Sequence, residues 1–466
     1  MSGPQPIDTE PSLRRRTALA SSDARLRANL VRASGTLGSR KAAAFGALDD
    51  PEGLRHQARA IRHRVLARLP EVLEALADRV EAAGGRVHWA STAADAADAV
   101  VAVARSHGAR LAVKSKSMAS EEIGLNAALE HAGVEVVETD LGEWIVQVAE
   151  ETPSHIIVPA IHRDRAQIAR TLSTVAGRPL ADDPQELAAF ARDQLRRRFL
   201  EADIGISGVN FGVADTGTLV LVSNEGNGRM VTSMPPVHVA LMGMERVVQT
   251  WAELEVMLAL LPRAATGQAI TSYVSLITGP AGRLEEGPEE LHLVILDNGR
   301  SDILGSEFAE ALACIRCGAC LNACPVYRQV GGHAYGWVYP GPIGAVLTPL
   351  LQSSKSAQQL PQASSLCAAC WEACPVGIPL QDLLLGLRRR SAAGAGAGAR
   401  LAWEAWSRLW SRPATYQASL RAASVADRAA GSPASLPGHL DRWSAGRDLP
   451  TAEGPTFRQL WDQGRI

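Results

Sequence analysis

The chain has 466 residues, 46% of them hydrophobic and 21% charged, with a formal net charge of −2. This is an ordinary globular composition, long enough for two or three domains. Balanced charge excludes a general nucleic-acid binder, which needs uncompensated Lys and Arg, and no apolar run reaches the roughly 18 residues of a membrane-spanning helix.

In chain order, residues 1–52 read as a helical, partly flexible segment. Arg14, Arg15 and Arg16 are followed by no apolar stretch, so no secretory signal is expected and a cytoplasmic location is. Residues 53–82 read as one long amphipathic helix: Ile61, Val65, Leu69, Leu73, Leu76 and Val80 recur at three- and four-residue steps, and Gly84-Gly85 ends it. Alternating βα units follow, with strands over 86–90, 110–114 and 134–139 and helices over 93–107, 120–132 and 141–149. HIIVPA (155–160) reads as a buried strand and 184–202 as a helix. The alternation predicts an α/β domain with a largely parallel sheet. Residues 204–300 are rich in Gly and β-branched residues and predict strands and tight turns. Gly226-Asn227-Gly228 is a turn signal, 250–261 a helix, and 269–278 and 291–296 strands. No G-x-G-x-x-G or phosphate-binding loop stands between a strand and a helix, so no nicotinamide, flavin or ATP site is indicated.

Several polar residues of this region fall near strand ends, where α/β sheets bind ligands. Lys114 and Lys116 follow one strand; Asp215, Glu225 and His238 lie in GVADTGTL, SNEGNGR and PPVHVA. Together they mark a candidate anion or acyl-thioester pocket. Each also has an ordinary reading, as a solvated lysine, a turn aspartate or a satisfied strand histidine. No Ser/His/Asp or paired-carboxylate arrangement names a catalytic residue.

All seven cysteines lie between Cys314 and Cys374. An odd, tightly spaced set in a large chain argues for metal ligation and against a disulfide framework. The first run, Cys314, Cys317, Cys320, Cys324 and Pro325, has the C-x2-C-x2-C-x3-C-P spacing of bacterial ferredoxins. Gly318 is expected to let the backbone approach the cluster sulfides. A zinc site is the rival, but zinc usually takes two separated C-x2-C pairs. Aligning the second run on its Cys374-Pro375 pairs Cys374 with Cys324, Cys370 with Cys320 and Cys367 with Cys317; Ser364 stands where Cys314 does. In a two-cluster arrangement the last cysteine of each run ligates the other run's cluster. Cys314, Cys317, Cys320 and Cys374 would then hold one cluster, and Cys324, Cys367 and Cys370 the second. The second cluster's fourth corner stays open at this point: empty, as in [3Fe–4S], or held by Ser364, another side chain or an exogenous ligand. Two crossed clusters suit one-electron relay; a purely stapling role is the alternative.

Between the runs, GGHAYGWVYPGPIGAVLTPLL supplies apolar surface to pack over the clusters, and His333 reads as a packing or surface residue before a ligand or proton relay. SAAGAGAGAR reads as a flexible linker. The tail, 401–466, is Trp-rich, and Trp403, Trp406 and Trp410 share a helix face suited to core packing or partner docking.

The runs KSKSMASEEIGLNAALEHAGVEVVETDLGEWIVQVA, PSHIIVPAIHRDR, GVNFGVADTGTLVLVSNEGNGRM, ELHLVILDNGRS and both cysteine runs together resemble the lactate utilization protein B (LutB/YkgF) family, over roughly residues 50–390. The resemblance implies an LUD α/β domain, similar in fold to sugar-phosphate isomerases and CoA transferases, over 53–303. A helical ferredoxin-like 4Fe-4S domain is implied over 304–390, then the linker over 391–400 and the helical tail. It implies an electron carrier in L-lactate oxidation to pyruvate, acting with a cysteine-rich sibling and a stand-alone LUD protein, with peripheral docking to an acceptor. It implies the same split of seven cysteines. Two alternatives stand beside it: a catalytic oxidoreductase whose LUD domain binds lactate or an acyl substrate near Lys114 and Asp215, and an iron–sulfur redox sensor.

Overall fold

The computed structural model describes residues 12–282, 286–394, 396–430 and 455–465. The chain divides into two compact units between Arg389 and Arg390.

The first unit opens with α1 (Leu13–Ser22) and α2 (Ala24–Gly46). Buried Arg16 bonds the Ala334 and Tyr335 carbonyls at 3.0 and 3.4 Å, tying α1 to the cysteine region. The helix expected over 53–82 is two, α3 (Pro51–Ala67) and α4 (Leu69–Ala82). Pro70 has no N–H to give and its ring crowds the preceding turn, so the helix stops at Arg68 and restarts with Pro70 in its first turn. The apolar stripe survives the break, and all six residues named above are buried.

The βα units follow: β1 (Arg86–Ala90), α5 (Ala93–Ser106), β2 (Leu111–Lys114), α6 (Met118–Glu122), α7 (Leu125–His131), β3 (Glu135–Glu138) and α8 (Leu141–Val148). Gly124, at φ +64°, splits the helix expected over 120–132. HIIVPA forms no strand. It is an irregular loop pinned from within, because the Ile157 and Val158 N–H groups donate to His155 Nδ1 at 3.0 and 3.2 Å. Next come α9 (Arg165–Ala176), opened by an Asp164/Gln167 capping box that the periodicity reading missed, and α10 (Pro184–Glu201). Then follow β4 (Ile204–Gly208), β5 (Phe211–Val213), β6 (Thr218–Ser223), α11 (Asn227–Ser233), β7 (Val237–Gly243), β8 (Val247–Val248), α12 (Trp251–Ala265), β9 (Tyr273–Ile277) and β10 (Glu290–Leu296). Gly226-Asn227-Gly228, read as a turn, is one at Gly226 and leads directly into α11.

The main sheet is six-stranded and wholly parallel, in the order β1-β10-β7-β4-β2-β3. Its central strands are buried on both faces, as parallel sheets require. Val294 and Leu296 pack with α5 and α7 on one face, while Leu291, Leu293 and Ile295 pack with α3 and α4 on the other. A second sheet, β8-β5-β6-β9, caps that other face.

The cysteine region completes the unit: α13 (Arg300–Leu304), a 3-10 turn at Ala309–Ala313, α14 (Ala319–Ala323), α15 (Pro325–Val330), α16 (Gly341–Leu351), α17 (Ala369–Glu372) and α18 (Leu380–Ala393). It shares one core with the α/β domain: Cys317, Cys320 and Leu384 belong to the same apolar cluster as Leu30, Val65, Met257 and Leu293.

The second unit holds α19 (Ala397–Trp410), α20 (Pro413–Ala430) and α21 (Phe457–Asp462). α18 and α19 occupy much of the expected linker, because alanine is the strongest helix former and offsets the glycines. Trp403, Trp406 and Trp410 do line one face, with ring centroids 5.6 and 5.3 Å apart, but all three are exposed. Trp443 lies outside the described residues.

Candidate metal centre

Cys314, Cys317, Cys320 and Cys374 line one small apolar cavity, walled by Ile156, Ile315, Ile343, Val376, Ile378 and Leu380. The aromatic stretch between the runs supplies part of that wall through Ile343. The cavity is apolar and Cys317, Cys320 and Cys374 are buried, so burial and then the neighbouring Cys374 push Cys317 up to about 12. Burial, Cys314 and Cys317 push Cys320 well above the usual thiol range. Such thiols ionise only for a strongly cationic occupant. Main-chain donors stand ready for the resulting charge: Arg316 N–H lies 3.4 Å from Cys314 Sγ, and Ile378 N–H 3.4 Å from Cys374 Sγ. Among the described residues, no three His, Cys, Asp or Glu side chains converge on a point as ligands of a single ion. Four cysteine thiols around one apolar cavity are a donor set of the kind that holds an iron–sulfur cluster.

Cys324, Cys367 and Cys370 form the other group. Burial, then Cys324 and Cys367, push Cys370 up to about 12. Burial also raises Cys324, which receives Tyr327 N–H at 3.5 Å. Cys367 is exposed, and hydrogen bonds from Ser365 and then the Ala369 N–H lower its pKa. Ser364 Oγ accepts Leu366 N–H at 3.1 Å.

Gly318 is left-handed, at φ +73°, but the room a side chain would take there is filled by His155 and Ile157, 3.0 and 3.2 Å from a Cβ. The glycine thus admits the HIIVPA loop on its Cβ side. His155 is held at about 3 by burial and then Lys116. Its Nδ1 accepts two N–H groups, so Nε2 carries the proton and donates to Asn322 Oδ1 at 3.2 Å.

The first run is held by arginines that no spacing or motif singles out. Arg62, in α3, donates to the Leu312 and Ala313 carbonyls at 3.2 and 3.3 Å and to Val247 at 2.8 Å. Arg246 donates to the Cys314 and Ile315 carbonyls at 2.8 and 3.3 Å. Burial pulls both down to about 10, still charged at neutral pH. Arg316, within the run, reaches Glu245 at 3.1 Å and lies over the Tyr339 ring, 4.6 Å from its centroid. Arg300 bridges Glu245 and Glu122 with contacts of 2.7 to 2.8 Å. Arg55 donates to the Cys374 carbonyl at 2.9 Å.

The polar candidates of the α/β domain separate. Lys114 is fully buried and saturated by Ser120, Glu121 and Glu138 at 2.7 to 2.9 Å, a structural role. Asp215 is an exposed turn residue. His238 bonds Ser207 at 2.8 Å inside the sheet, and burial holds it at about 3. His333 bonds the Thr152 carbonyl at 2.7 Å. Lys116 and Glu225 do meet, across a cleft of about 450 Å³ at the carboxyl ends of β2, β4 and β7 that Glu245, Arg246 and Arg316 also line. Lys116 donates to the Ile156 carbonyl, and burial followed by Asp140 raises Glu225 to about 7. The cleft therefore abuts the first cysteine run, and the α/β residues that matter are one turn beyond the strand ends.

Known proteins carry the same pattern. A family model for the LUD domain matches residues 73–296, one for a 4Fe-4S dicluster domain matches 310–378, and one for the C-terminal region of lactate utilisation protein B matches 387–465. Lactate utilization protein B of Oceanobacillus iheyensis is 50% identical over 386 residues, covering 81% of this chain and 80% of the relative. The protein called Uncharacterized electron transport protein YkgF, of Escherichia coli K12, is 48% identical over 381 residues, 80% of each chain. Among solved structures, a DUF162 family protein from Deinococcus radiodurans is 17% identical, with a TM-score of 0.29, covering 49% of this chain and 98% of its own. Among the described residues, no helix is long and apolar enough to cross a membrane.

Proposed function

The chain belongs to the lactate utilization protein B family, and on that premise we propose that it is an iron–sulfur electron-transfer subunit of a system oxidising L-lactate to pyruvate. We further propose that it works in the cytoplasm beside two siblings, a cysteine-rich protein and a stand-alone LUD protein. The observation that carries this reading is the gathering of seven cysteines into two groups, one enclosed by apolar walls and one reaching the surface at Cys367. Cys314, Cys317, Cys320 and Cys374 would hold one [4Fe–4S] cluster; Cys324, Cys367 and Cys370 would hold the second. Clusters so bound supply one-electron transfer. The chain's own part is to exclude water from the first group with Ile156, Ile343 and Ile378, and to fix both loops with Arg62, Arg246 and Arg55. Cys324 and Cys374 cross between the runs, which keeps the two groups adjacent. Exposure at Cys367 makes the second group the outlet to a partner or a peripherally docked acceptor. Anaerobic purification with iron and sulfide analysis, and EPR after dithionite, tests this. Two reduced iron–sulfur signals are expected; an iron-free or zinc-loaded chain overturns it.

One observation favours a second reading, in which the LUD domain binds substrate. Arg316 Nη1 is buried without a partner in the wall of the cleft that abuts the first group. Lactate turnover by the isolated chain with an artificial acceptor would establish that reading, and absence of turnover without the siblings favours the carrier.

A further inference from the structure

We infer that Ser364 Oγ is the fourth ligand of the second cluster, in the place that Cys314 Sγ takes in the first. This rests on the two-cluster reading above and adds the one corner that seven cysteines leave undefined.

Four local features repeat between the runs. The residue two beyond each first ligand position is left-handed, Arg316 at φ +59° and Leu366 at φ +56°. So is the residue four beyond, Gly318 at +73° and Ala368 at +64°. In both runs the N–H of the first of these turns back onto the first-position side chain: Arg316 to Cys314 Sγ at 3.4 Å, Leu366 to Ser364 Oγ at 3.1 Å. In both, an arginine holds the first-position carbonyl: Arg246 on Cys314 at 2.8 Å, Arg388 on Ser364 at 2.7 Å. Ser364 therefore has the same local fold, donor and anchor as a cysteine already placed on the first group.

Leucine and alanine in the left-handed region cost about 1–2 kcal/mol each. Such strain persists where surroundings over-determine it, chiefly at functional sites. Two neighbouring polar residues are otherwise engaged or misplaced. Ser365 is exposed and hydrogen-bonds the Cys367 thiol. Glu372 is exposed and matches Asn322 in the first run, a position without a ligand.

On ligation the Ser364 hydroxyl gives its proton to solvent as the iron–oxygen bond forms, and the Leu366 N–H then donates to the bound oxygen. An alkoxide is a harder donor than a thiolate, so it favours the more oxidised state and lowers the potential of the second cluster.

The test uses the anaerobically purified full chain with Ser364→Ala, Ser364→Cys, Ser365→Ala and Glu372→Gln, followed by Mössbauer and EPR spectroscopy and a redox titration. The expected wild type holds a four-iron second cluster with one iron of distinct isomer shift. Ser364→Ala converts most of that cluster to the three-iron form on mild ferricyanide oxidation. Ser364→Cys removes the distinct iron and raises the second potential without moving the first. Ser365→Ala and Glu372→Gln leave nuclearity unchanged. A wild-type second cluster that is three-iron as isolated overturns the inference. So does an unchanged potential in Ser364→Cys, which carries the test even where Ser364→Ala fails to fold. An iron-free wild type strikes the two-cluster reading itself, before any variant is made.

Discussion

Glu245→Gln is the most direct probe of how the α/β domain grips the first cysteine run. The Glu245 carboxylate accepts Arg300 Nε at 2.8 Å and an Arg316 N–H at 3.1 Å, and is 1% exposed. Burial alone would raise its pKa; Arg300, Arg316 and Arg246 overcome that and hold it at about 2, against an ordinary 4.5. At about 1.36 kcal/mol per unit, the ionised form is favoured by about 3 kcal/mol in the folded state. Because the folded pKa is depressed, that contribution is complete above pH 4.5 and fades as pH falls towards 2. The glutamine removes it at neutral pH and leaves two buried guanidinium groups short of a partner, a change of roughly 3–5 kcal/mol. At about 2.1 cal/mol/K per residue, a unit of this size has an unfolding entropy near ~0.8 kcal/mol/K, so the melting temperature should fall by about 4–6 °C. Far-UV circular dichroism and cluster absorbance, recorded on anaerobic protein at one heating rate, read this shift. A fall of less than about 1 °C would refute the reasoning, since it would mean Arg300 and Arg316 do not depend on Glu245.

Cys374→Ala should abolish the first cluster's EPR signal and spare the second, while Cys324→Ala should do the reverse; loss of the same signal in both variants would disprove the crossed ligand sets. His155 and His238 are held at about 3, against an ordinary 6.5, by burial. The unfolded chain therefore binds protons that the folded chain does not, and stability falls as pH drops below 6.5, by about 1.4 kcal/mol per imidazole at pH 5.5. His155→Asn and His238→Asn should each shrink the difference in melting temperature between pH 7.5 and 5.5 by ~2 °C, and an unchanged difference counts against buried neutral imidazoles. Gly318→Ala forces a side chain into the left-handed region and against His155, so the variant should lose ~1–3 kcal/mol and bind iron less completely; full iron content with wild-type melting would show that the loop has room to spare.

The parallel sheet was legible because its strands are buried on both faces and its helices carry a three- and four-residue stripe, patterns set by local burial. Breaks were less legible. Pro70 and Gly124 each divide a continuous apolar stripe, and the stripe, being a property of the buried face, runs on regardless of the backbone break. HIIVPA shows the opposite failure. Its apolar run and burial fit a strand, yet His155 Nδ1 accepts the N–H groups that a ladder would have used. The cysteine pattern was legible because Cys314, Cys317, Cys320 and Cys324 fall within one short run and Cys367, Cys370 and Cys374 within another. Lys114, by contrast, sits at a strand end as a ligand-binding lysine would, and only its carboxylate partners reveal a structural ion pair.

The arginine cradle was illegible for a deeper reason. Arg62, Arg246 and Arg316 come from α3, from the β7–β8 connection and from the cysteine loop, and nothing in spacing links them. Their meaning is electrostatic. Four buried guanidinium groups, counting Arg300, face only two buried carboxylates, Glu122 and Glu245, within one connected region. Uncompensated buried cations cost several kcal/mol each. Clusters held by thiolates carry negative charge. Arg62 and Arg246 come from the α/β domain and Arg300 and Arg316 from the cysteine region, so the excess positive charge belongs to the seam between them, where it would balance a buried anionic cluster and favour its reduced state.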